Sequence, residues 1–141
     1  MTQVGGATSR GSRGSGPEGS ATILVVDDDA DIRAALVVVL EAEGHVVAQA
    51  ENGEEAFRYL RGERGEQGRP RLIILDLSMP VMDGWRFHEQ KQADASLAGI
   101  PVVVISARRH GDAPVPVDAD RFLPKPVKTK ELLEVVRWFC R

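Results

Sequence analysis

Short aliphatic runs alternate with segments of helical period from residue 21 onward, and this alternation restricts the fold more than any other feature. Five runs have the composition of strands: residues 22–26, 45–50, 72–75, 100–106 and 121–123. Strands that alternate with helices pair in parallel, because a parallel neighbour is reached through a right-handed crossover that is usually a helix. The sequence therefore predicts an α/β fold, a doubly wound five-stranded parallel sheet with helices on both faces.

Apolar residues between the strands recur at the three- and four-residue intervals of amphipathic helices. The first helix is expected to end at Gly44 and to face inward with Ile32, Ala35, Leu36, Val39 and Leu40. The third helix, residues 85–93, is unusually polar, with Trp85 and Phe87 as its clear apolar anchors. Three histidines are expected at the surface: His45, His88 and His110.

Composition disfavours several classes of function. The chain has 141 residues, 43% hydrophobic and 28% charged, which fits one globular domain. A net charge of −3 provides no basic field for phosphates, so nucleic-acid binding is disfavoured. No apolar run is long enough for membrane insertion or a secretion signal, and the single Cys140 suits a reducing compartment, so a cytoplasmic location is expected. Residues 1–20 are expected to form a flexible Gly/Ser-rich tail, which leaves residues 21–141 for the domain.

Polar or charged residues follow four of the five predicted strands where each strand ends. They are Asp27, Asp28 and Asp29 after the first strand, Asp76 after the third, Ser106 at the end of the fourth and Lys125 after the fifth. In an open parallel sheet the carboxyl ends of the strands form the edge where ligands bind. The sequence therefore predicts that these side chains converge at one edge.

Converging carboxylates without histidine or cysteine indicate a site for a hard cation such as Mg²⁺, which prefers oxygen ligands. A cation also relieves the repulsion between carboxylates at close range. An ammonium such as that of Lys125 is redundant beside a metal ion unless a further anion enters. A phosphoryl group on Asp76 fits that requirement, because carboxylates are nucleophiles toward phosphoryl groups. Asp29 is expected instead to cap the first helix.

Four segments, ILVVDDDADIR, LIILDLSMPVMDGW, VVVISA and FLPKP, together resemble the receiver domain of bacterial two-component response regulators. The resemblance covers residues 22–141 and implies the flavodoxin-like strand order 2-1-3-4-5. It also implies a magnesium-dependent phosphoprotein of a phosphorelay, with no enzymatic activity beyond self-phosphorylation and self-dephosphorylation at Asp76. The phosphoryl group would come from a sensor histidine kinase or a histidine phosphotransfer protein, and the signal would pass to an unidentified downstream protein.

The same resemblance implies a role for each matching residue. Asp76 corresponds to the phosphoacceptor. The implied metal ligands are Asp28, Asp76 and the backbone carbonyl of Ser78, with Asp27 acting through a water molecule. The implied contacts to the phosphoryl group are the Ser106 hydroxyl, the Ala107 backbone N–H and the Lys125 ammonium, which a cis Lys125–Pro126 peptide would direct inward.

A switch is implied as well. Movement of Ser106 toward the phosphoryl group would vacate space that Phe122 on the fifth strand can enter. Phosphorylation would then change the surface of the domain. Phe122 stands where the family often has a tyrosine, so the switch would depend on packing alone.

The sequence departs from the family pattern between the fourth and fifth strands. This connection is short and contains Pro114 and Pro116, so the fourth helix, usual at this place, is predicted to be shortened or irregular. That helix belongs to the family's usual dimerisation and output face, so dimerisation through it is put in doubt. The chain ends at Arg141 directly after the last helix, and a stand-alone receiver is therefore expected.

Two other functions stay open at this point. A receiver-fold binding module independent of phosphorylation is favoured by the short connection, whereas the complete set of site residues argues against it. An enzyme of the haloacid-dehalogenase type would also use a strand-end aspartate, but it needs a second aspartate where this chain has Ser78. Four apolar residues off the inward stripes form either a docking patch or ordinary edge packing: Val37, Val38, Leu133 and Trp138.

Overall fold

The computed structural model describes residues 22–62, 69–77, 84–107 and 119–140. The strands are β1 (Thr22–Val26), β2 (Val46–Ala50), β3 (Leu72–Asp76), β4 (Val102–Ser106) and β5 (Arg121–Pro124). The helices are α1 (Ala30–Ala42), α2 (Gly53–Leu60), α3 (Gly84–Ala93) and α4 (Thr129–Phe139). The predictions for the tail of residues 1–20, for His110, for the Ser78 carbonyl and for the proline-containing connection at residues 108–118 lie outside the described residues.

The strands form one parallel sheet in the order β2-β1-β3-β4-β5. This confirms the predicted doubly wound sheet and its strand order. β2 lies at one edge, whereas every residue of β3 and β4 is buried. The registers align the strand ends, since Val26 pairs with Leu75 and Ser106 pairs with Pro124. The last residues of neighbouring strands therefore reach the same edge of the sheet.

Two apolar clusters cover the two faces of the sheet, because alternate residues of each strand point to opposite sides. On one face Leu24 shares a cluster with Phe57 of α2 and Phe87 of α3. On the other face Ile23 shares a cluster with Leu132 of α4 and with Leu36 and Leu40 of α1. The expectation that Ala35 faces inward is wrong, because that residue is exposed. The predicted arrangement with helices on both faces is confirmed.

Polar caps and one glycine define the ends of the first two helices. The Asp29 carboxylate accepts hydrogen bonds from the N–H groups of Asp31 at 2.9 Å and Ile32 at 3.2 Å, so it caps α1 as expected. Gly44, with a φ of 90°, turns the chain after α1. Asn52 caps α2 by accepting from the N–H of Glu55 at 2.9 Å.

The expectation that His45 and His88 lie at the surface is wrong, because their exposed fractions are 8% and 3%. The His45 N–H donates to the Leu40 carbonyl at 3.2 Å, which holds the start of β2 against the end of α1. His88 lies beside Phe87 on α3, and Phe87 packs against Phe57 with ring centroids 4.8 Å apart.

Lys91 is a second buried polar residue of α3, with 1% exposed, whereas the expected anchor Trp85 is only half-buried. The Lys91 Nζ donates to Gln92 Oε1 at 2.8 Å and to the Ala98 carbonyl at 3.2 Å. A charged group can be buried when its donors are matched in this way. The polar sequence of α3 therefore does not indicate that Lys91 faces inward.

Two of the four residues of the possible docking patch are strongly exposed, Val38 at 68% and Trp138 at 59%. The other two, Val37 and Leu133, are half-buried. A docking role for these residues stays a prediction. Within the described ranges, no helix combines the length and apolar character needed to cross a membrane.

Phe87→Ala is expected to lower the free energy of unfolding by about 3–5 kcal/mol, because it empties a fully buried position beside Phe57. Urea unfolding followed by circular dichroism measures the loss. Val38→Ala is the control, and a change within about 0.5 kcal/mol is expected because that side chain is exposed. Equal losses for the two variants would contradict the central position of Phe87.

Candidate functional site

Four strand ends deliver polar side chains to one edge of the sheet. Asp27 and Asp28 follow β1, Asp76 ends β3, Ser106 ends β4 and Lys125 follows β5. We call these five residues the rim site. Asp27, Asp76 and Ser106 are buried, whereas Asp28 is exposed. The rim site is therefore closed toward the sheet and open to solvent at Asp28.

Three carboxylates converge in the rim site. Asp27, Asp28 and Asp76 each place a carboxylate oxygen within 4.8 Å of the other two. Like charges at this separation repel by about 1 kcal/mol per pair even with the dielectric constant of water, and more when they are buried. The site consequently needs positive charge.

Lys125 supplies positive charge to the two buried carboxylates. Its Nζ lies 3.1 Å from Asp27 Oδ2 and 3.3 Å from Asp76 Oδ1. Burial alone would lower the pKa of Lys125, but the contact with Asp27 and the charges of Asp76 and Asp27 outweigh it, so this pKa lies above its ordinary value. The ammonium is therefore charged at neutral pH.

The backbone fixes Lys125 in this position. Its N–H donates to the Ser106 carbonyl at 2.9 Å, which joins the end of β5 to the end of β4. The Lys125–Pro126 peptide is cis, as the resemblance implied. Lys125 and Ser106 are thus linked through the main chain as well as by their shared edge.

Both polar groups of the Asp27 main chain, the N–H and the carbonyl, are hydrogen-bonded. Its N–H donates to the Ala50 carbonyl at 3.1 Å, and its own carbonyl accepts from Arg33 Nη1 at 2.6 Å. Its Oδ1 accepts from the Asp29 N–H at 2.9 Å. The Asp27 carboxylate therefore has a fixed direction, with Oδ2 turned toward Lys125.

The donor set fits a divalent cation that prefers oxygen ligands. Three carboxylates beside one ammonium leave surplus negative charge, and oxygen atoms are the ligands of Mg²⁺. Asp27 Oδ2 is buried, and within the described ranges it has the Lys125 ion pair but no well-aligned hydrogen-bond donor. Asp29 is not available as a ligand through Oδ1, because that atom caps α1.

Ser106 and Phe122 lie on neighbouring strands and on the same face of the sheet. Phe122 pairs with Val104, two residues before Ser106, and residues two apart in a strand share a face. Phe122 is half-buried and packs against the cluster that contains α2 and α3 residues. Ala107 directly follows β4. The positions required for the predicted switch are present, and its movement stays a prediction.

Gly84 is a residue that sequence reasoning did not identify as part of the site. Its N–H donates to the Leu77 carbonyl at 3.0 Å. A Cβ atom at this position would lie 2.5 Å from the Asp76 carbonyl oxygen and 2.6 Å from Leu77 Cα, both backbone atoms. The start of α3 therefore packs directly on the backbone of Asp76, and only glycine fits there.

Arg33 is a second residue that sequence reasoning missed. The segment ILVVDDDADIR contains it, but its contact with the rim site is to the main-chain carbonyl of Asp27, and no side-chain pattern in the sequence signals such a contact. The five residues of the rim site, which the sequence predicts to converge, all lie at this one edge of the sheet.

The fold and the rim site define an open, doubly wound α/β domain with an acidic site at the carboxyl edge of its sheet. The family model described as the response regulator receiver domain matches residues 23–137. The chain belongs to this family, the receiver domains of two-component response regulators.

This chain covers different shares of the length of two of its relatives. The transcriptional regulatory protein PrrA of Mycobacterium tuberculosis is 38% identical over 125 residues, which cover 86% of this chain and 51% of PrrA. The chain thus spans about half the length of PrrA. The uncharacterized 14.6 kDa protein in the sodA1 3′ region of Leptolyngbya boryana is 34% identical over 122 residues, covering 84% of this chain and 88% of that protein.

A solved structure has the same architecture. The Mn²⁺-bound form of response regulator Rcp1 superposes with a TM-score of 0.68 at 27% identity, covering 84% of this chain and 94% of Rcp1.

Asp28→Asn is expected to raise the free energy of unfolding by about 1 kcal/mol in EDTA, because it removes repulsion from Asp27 and Asp76 without breaking either Lys125 ion pair. Chemical unfolding in metal-free buffer measures the change. Asp31→Asn removes the same charge from the first turn of α1 and should instead lower stability by about 0.3–1 kcal/mol. A destabilised Asp28→Asn protein would contradict the crowding of carboxylates.

Gly84→Ala is expected to lower the free energy of unfolding by about 1–3 kcal/mol, because the methyl group overlaps backbone atoms of Asp76 and Leu77 that cannot move aside easily. Thermal and urea unfolding measure the loss. Gly99→Ala is the matched control, since a Cβ atom there has no neighbour within 4 Å. The packing argument fails if both alanine variants are equally stable.

Proposed function

We propose that this receiver domain is a phosphoaccepting signalling switch in which Asp76 takes a phosphoryl group from a sensor histidine kinase or a histidine phosphotransfer protein. The observation that carries the proposal is the convergence of three carboxylates within 4.8 Å at the edge where Lys125 contacts two of them. Membership of the receiver family supports the same conclusion. The output would be a protein–protein interaction with a downstream partner.

The transfer step needs an anionic nucleophile at a fixed position. An oxygen of the Asp76 carboxylate would attack phosphorus, the P–N bond to the donor imidazole would break, and the imidazole would keep the electron pair and take up a proton. The product is an acyl phosphate on Asp76. Such transfer depends mainly on positioning and charge neutralisation, and Lys125, 3.3 Å from Asp76 Oδ1, is placed to neutralise a phosphoryl oxygen.

The proposed ligands of Mg²⁺ are Asp28, Asp76 and the Ser78 carbonyl, with Asp27 acting through water. When bound, Mg²⁺ would supply positive charge for the incoming phosphoryl oxygens. The solvent-open position of Asp28 and the buried position of Asp27 are consistent with this division. The Rcp1 structure, a receiver relative in its Mn²⁺-bound form, supports a divalent cation in this family.

The proposed output step links the rim site to β5. The Ser106 hydroxyl and the Ala107 N–H would donate to the phosphoryl group, and Phe122 would enter the space that Ser106 leaves. Because the Lys125 N–H is hydrogen-bonded to the Ser106 carbonyl, a shift of β4 at Ser106 is transmitted to the end of β5 through the backbone. The half-buried ring of Phe122 then changes the surface presented to a partner.

Incubation with Mg²⁺ and a small acyl phosphate tests the proposal. We expect intact-mass analysis to show one added phosphoryl group that is removed by alkali, because the proposed product is an acyl phosphate on Asp76. Asp76→Asn should abolish the adduct. Asp31→Asn, which changes an exposed carboxylate on α1, should leave it intact.

An adduct that hydrolyses quickly could escape mass analysis. A second measurement therefore uses beryllofluoride, a stable mimic of the phosphoryl group, and tests whether its binding depends on Mg²⁺. Absence of both the adduct and beryllofluoride binding would overturn the proposal in favour of a binding module that is independent of phosphorylation. Steady turnover of phosphomonoesters would instead indicate a hydrolase.

A further inference from the structure

We infer that Arg33 is a positioning residue that fixes the peptide between Asp27 and Asp28 and thereby sets the affinity of the rim site for Mg²⁺. The effect on Mg²⁺ rests on the proposed function, whereas the effect on the peptide can be measured without metal. Arg33 is on α1, and its hydrogen bonds go to the Asp27 carbonyl and to Gln49 Oε1. Its action is therefore indirect.

Arg33 connects three elements at the open end of β1. Its Nη1 donates to the Asp27 carbonyl at 2.6 Å, and its Nε donates to Gln49 Oε1 on β2 at 3.3 Å. The register of β1 with β2 ends at Val26 and Ala50, so the Asp27 carbonyl lies one residue beyond the paired strand. The guanidinium supplies a donor to this carbonyl where the strand pairing has ended.

The bonded carbonyl belongs to the peptide group that joins Asp27 to Asp28. A peptide group is planar, so fixing its oxygen also fixes the N–H of Asp28 and restricts the direction in which the Asp28 side chain leaves the backbone. Asp27 is already held by Ala50 through its N–H and by Asp29 through Oδ1. Arg33 therefore secures the carbonyl oxygen of the peptide that leads to the exposed Asp28.

A guanidinium suits this position better than an ammonium. Its donors lie in a rigid plane and point in different directions, so one side chain can hold the strand end and Gln49 together. Lysine keeps the positive charge but does not have donors fixed in a rigid plane. Arg33→Lys therefore separates the effect of charge from the effect of position.

Charge and position predict opposite results when Arg33 is removed. The positive charge of Arg33 repels a cation, so its loss should tighten Mg²⁺ binding if charge dominates. Loss of the hydrogen bond to Asp27 should weaken Mg²⁺ binding if position dominates, since residues that orient metal ligands influence affinity by about 10–100-fold. The sign of the change decides between them.

Isothermal titration of MgCl2 into the metal-free protein is the first test. For Arg33→Ala we expect the dissociation constant to rise by about 10-fold, and for Arg33→Lys and Gln49→Ala we expect smaller rises. Arg137→Ala is the matched control, because it removes one positive charge from an exposed ion pair between Arg137 on α4 and Glu43, which follows α1, and should not change Mg²⁺ affinity. Tighter or unchanged Mg²⁺ binding by Arg33→Ala would overturn the inference.

Amide hydrogen exchange in EDTA is the second test. In Arg33→Ala we expect faster exchange of the Asp29 N–H, which is bonded to Asp27 Oδ1, and unchanged exchange in the fully buried β4. Uniformly faster exchange would show a general loss of stability and overturn the positioning role, as would unchanged exchange at Asp29. If the unsubstituted protein binds no Mg²⁺, the proposed function fails, and the exchange result alone then decides the positioning role of Arg33.

Discussion

Two buried carboxylates share one ammonium at the edge of the sheet, and the other features of the site follow from this shortage of positive charge. Asp27 and Asp76 both contact Lys125, and Asp28 adds a third negative charge nearby. Three carboxylates and one ammonium sum to −2. A divalent cation brings this sum to zero, and a phosphoryl group of about −2 that replaces the charge of Asp76 brings it to about −1. The proposed occupied states are therefore closer to neutral than the empty site.

Contacts to main-chain atoms fix the positions of these charged side chains. Gly84 lets the start of α3 lie on the Asp76 carbonyl, the Ser106 carbonyl holds Lys125, and Arg33 holds the Asp27 carbonyl. Each of these partners comes from an element other than the strand that carries the carbonyl. The positions of the rim side chains therefore depend on how the strands, α1 and α3 pack together, as well as on the residues themselves.

The sheet and the convergence of the rim side chains could be predicted from the sequence for one physical reason. Parallel strands align their carboxyl ends, so the residue after each strand is placed without knowledge of any contact. The contacts of Lys125 with Asp27 and Asp76 agree with that expectation. The cap formed by Asp29 was predictable because capping depends on local sequence.

Contacts between a side chain and a distant backbone atom could not be predicted. Arg33 and Gly84 act on main-chain atoms of Asp27 and Asp76, and main-chain atoms leave no pattern in the sequence. The burial of His88 and Lys91 was missed because polarity indicates exposure only when no partner is available inside. For Lys91 the partners are Gln92 and the Ala98 carbonyl, which depend on the tertiary fold.

The complete burial of β3 and β4 has a thermodynamic consequence for the edge where they end. Core strands of this kind open mainly when the whole domain unfolds, and unfolding of the domain therefore removes the rim that they form. Any ligand that binds the native rim and not the unfolded chain must then stabilise the entire domain by mass action. The melting temperature of the domain is thus expected to rise with the concentration of any ligand that binds the rim.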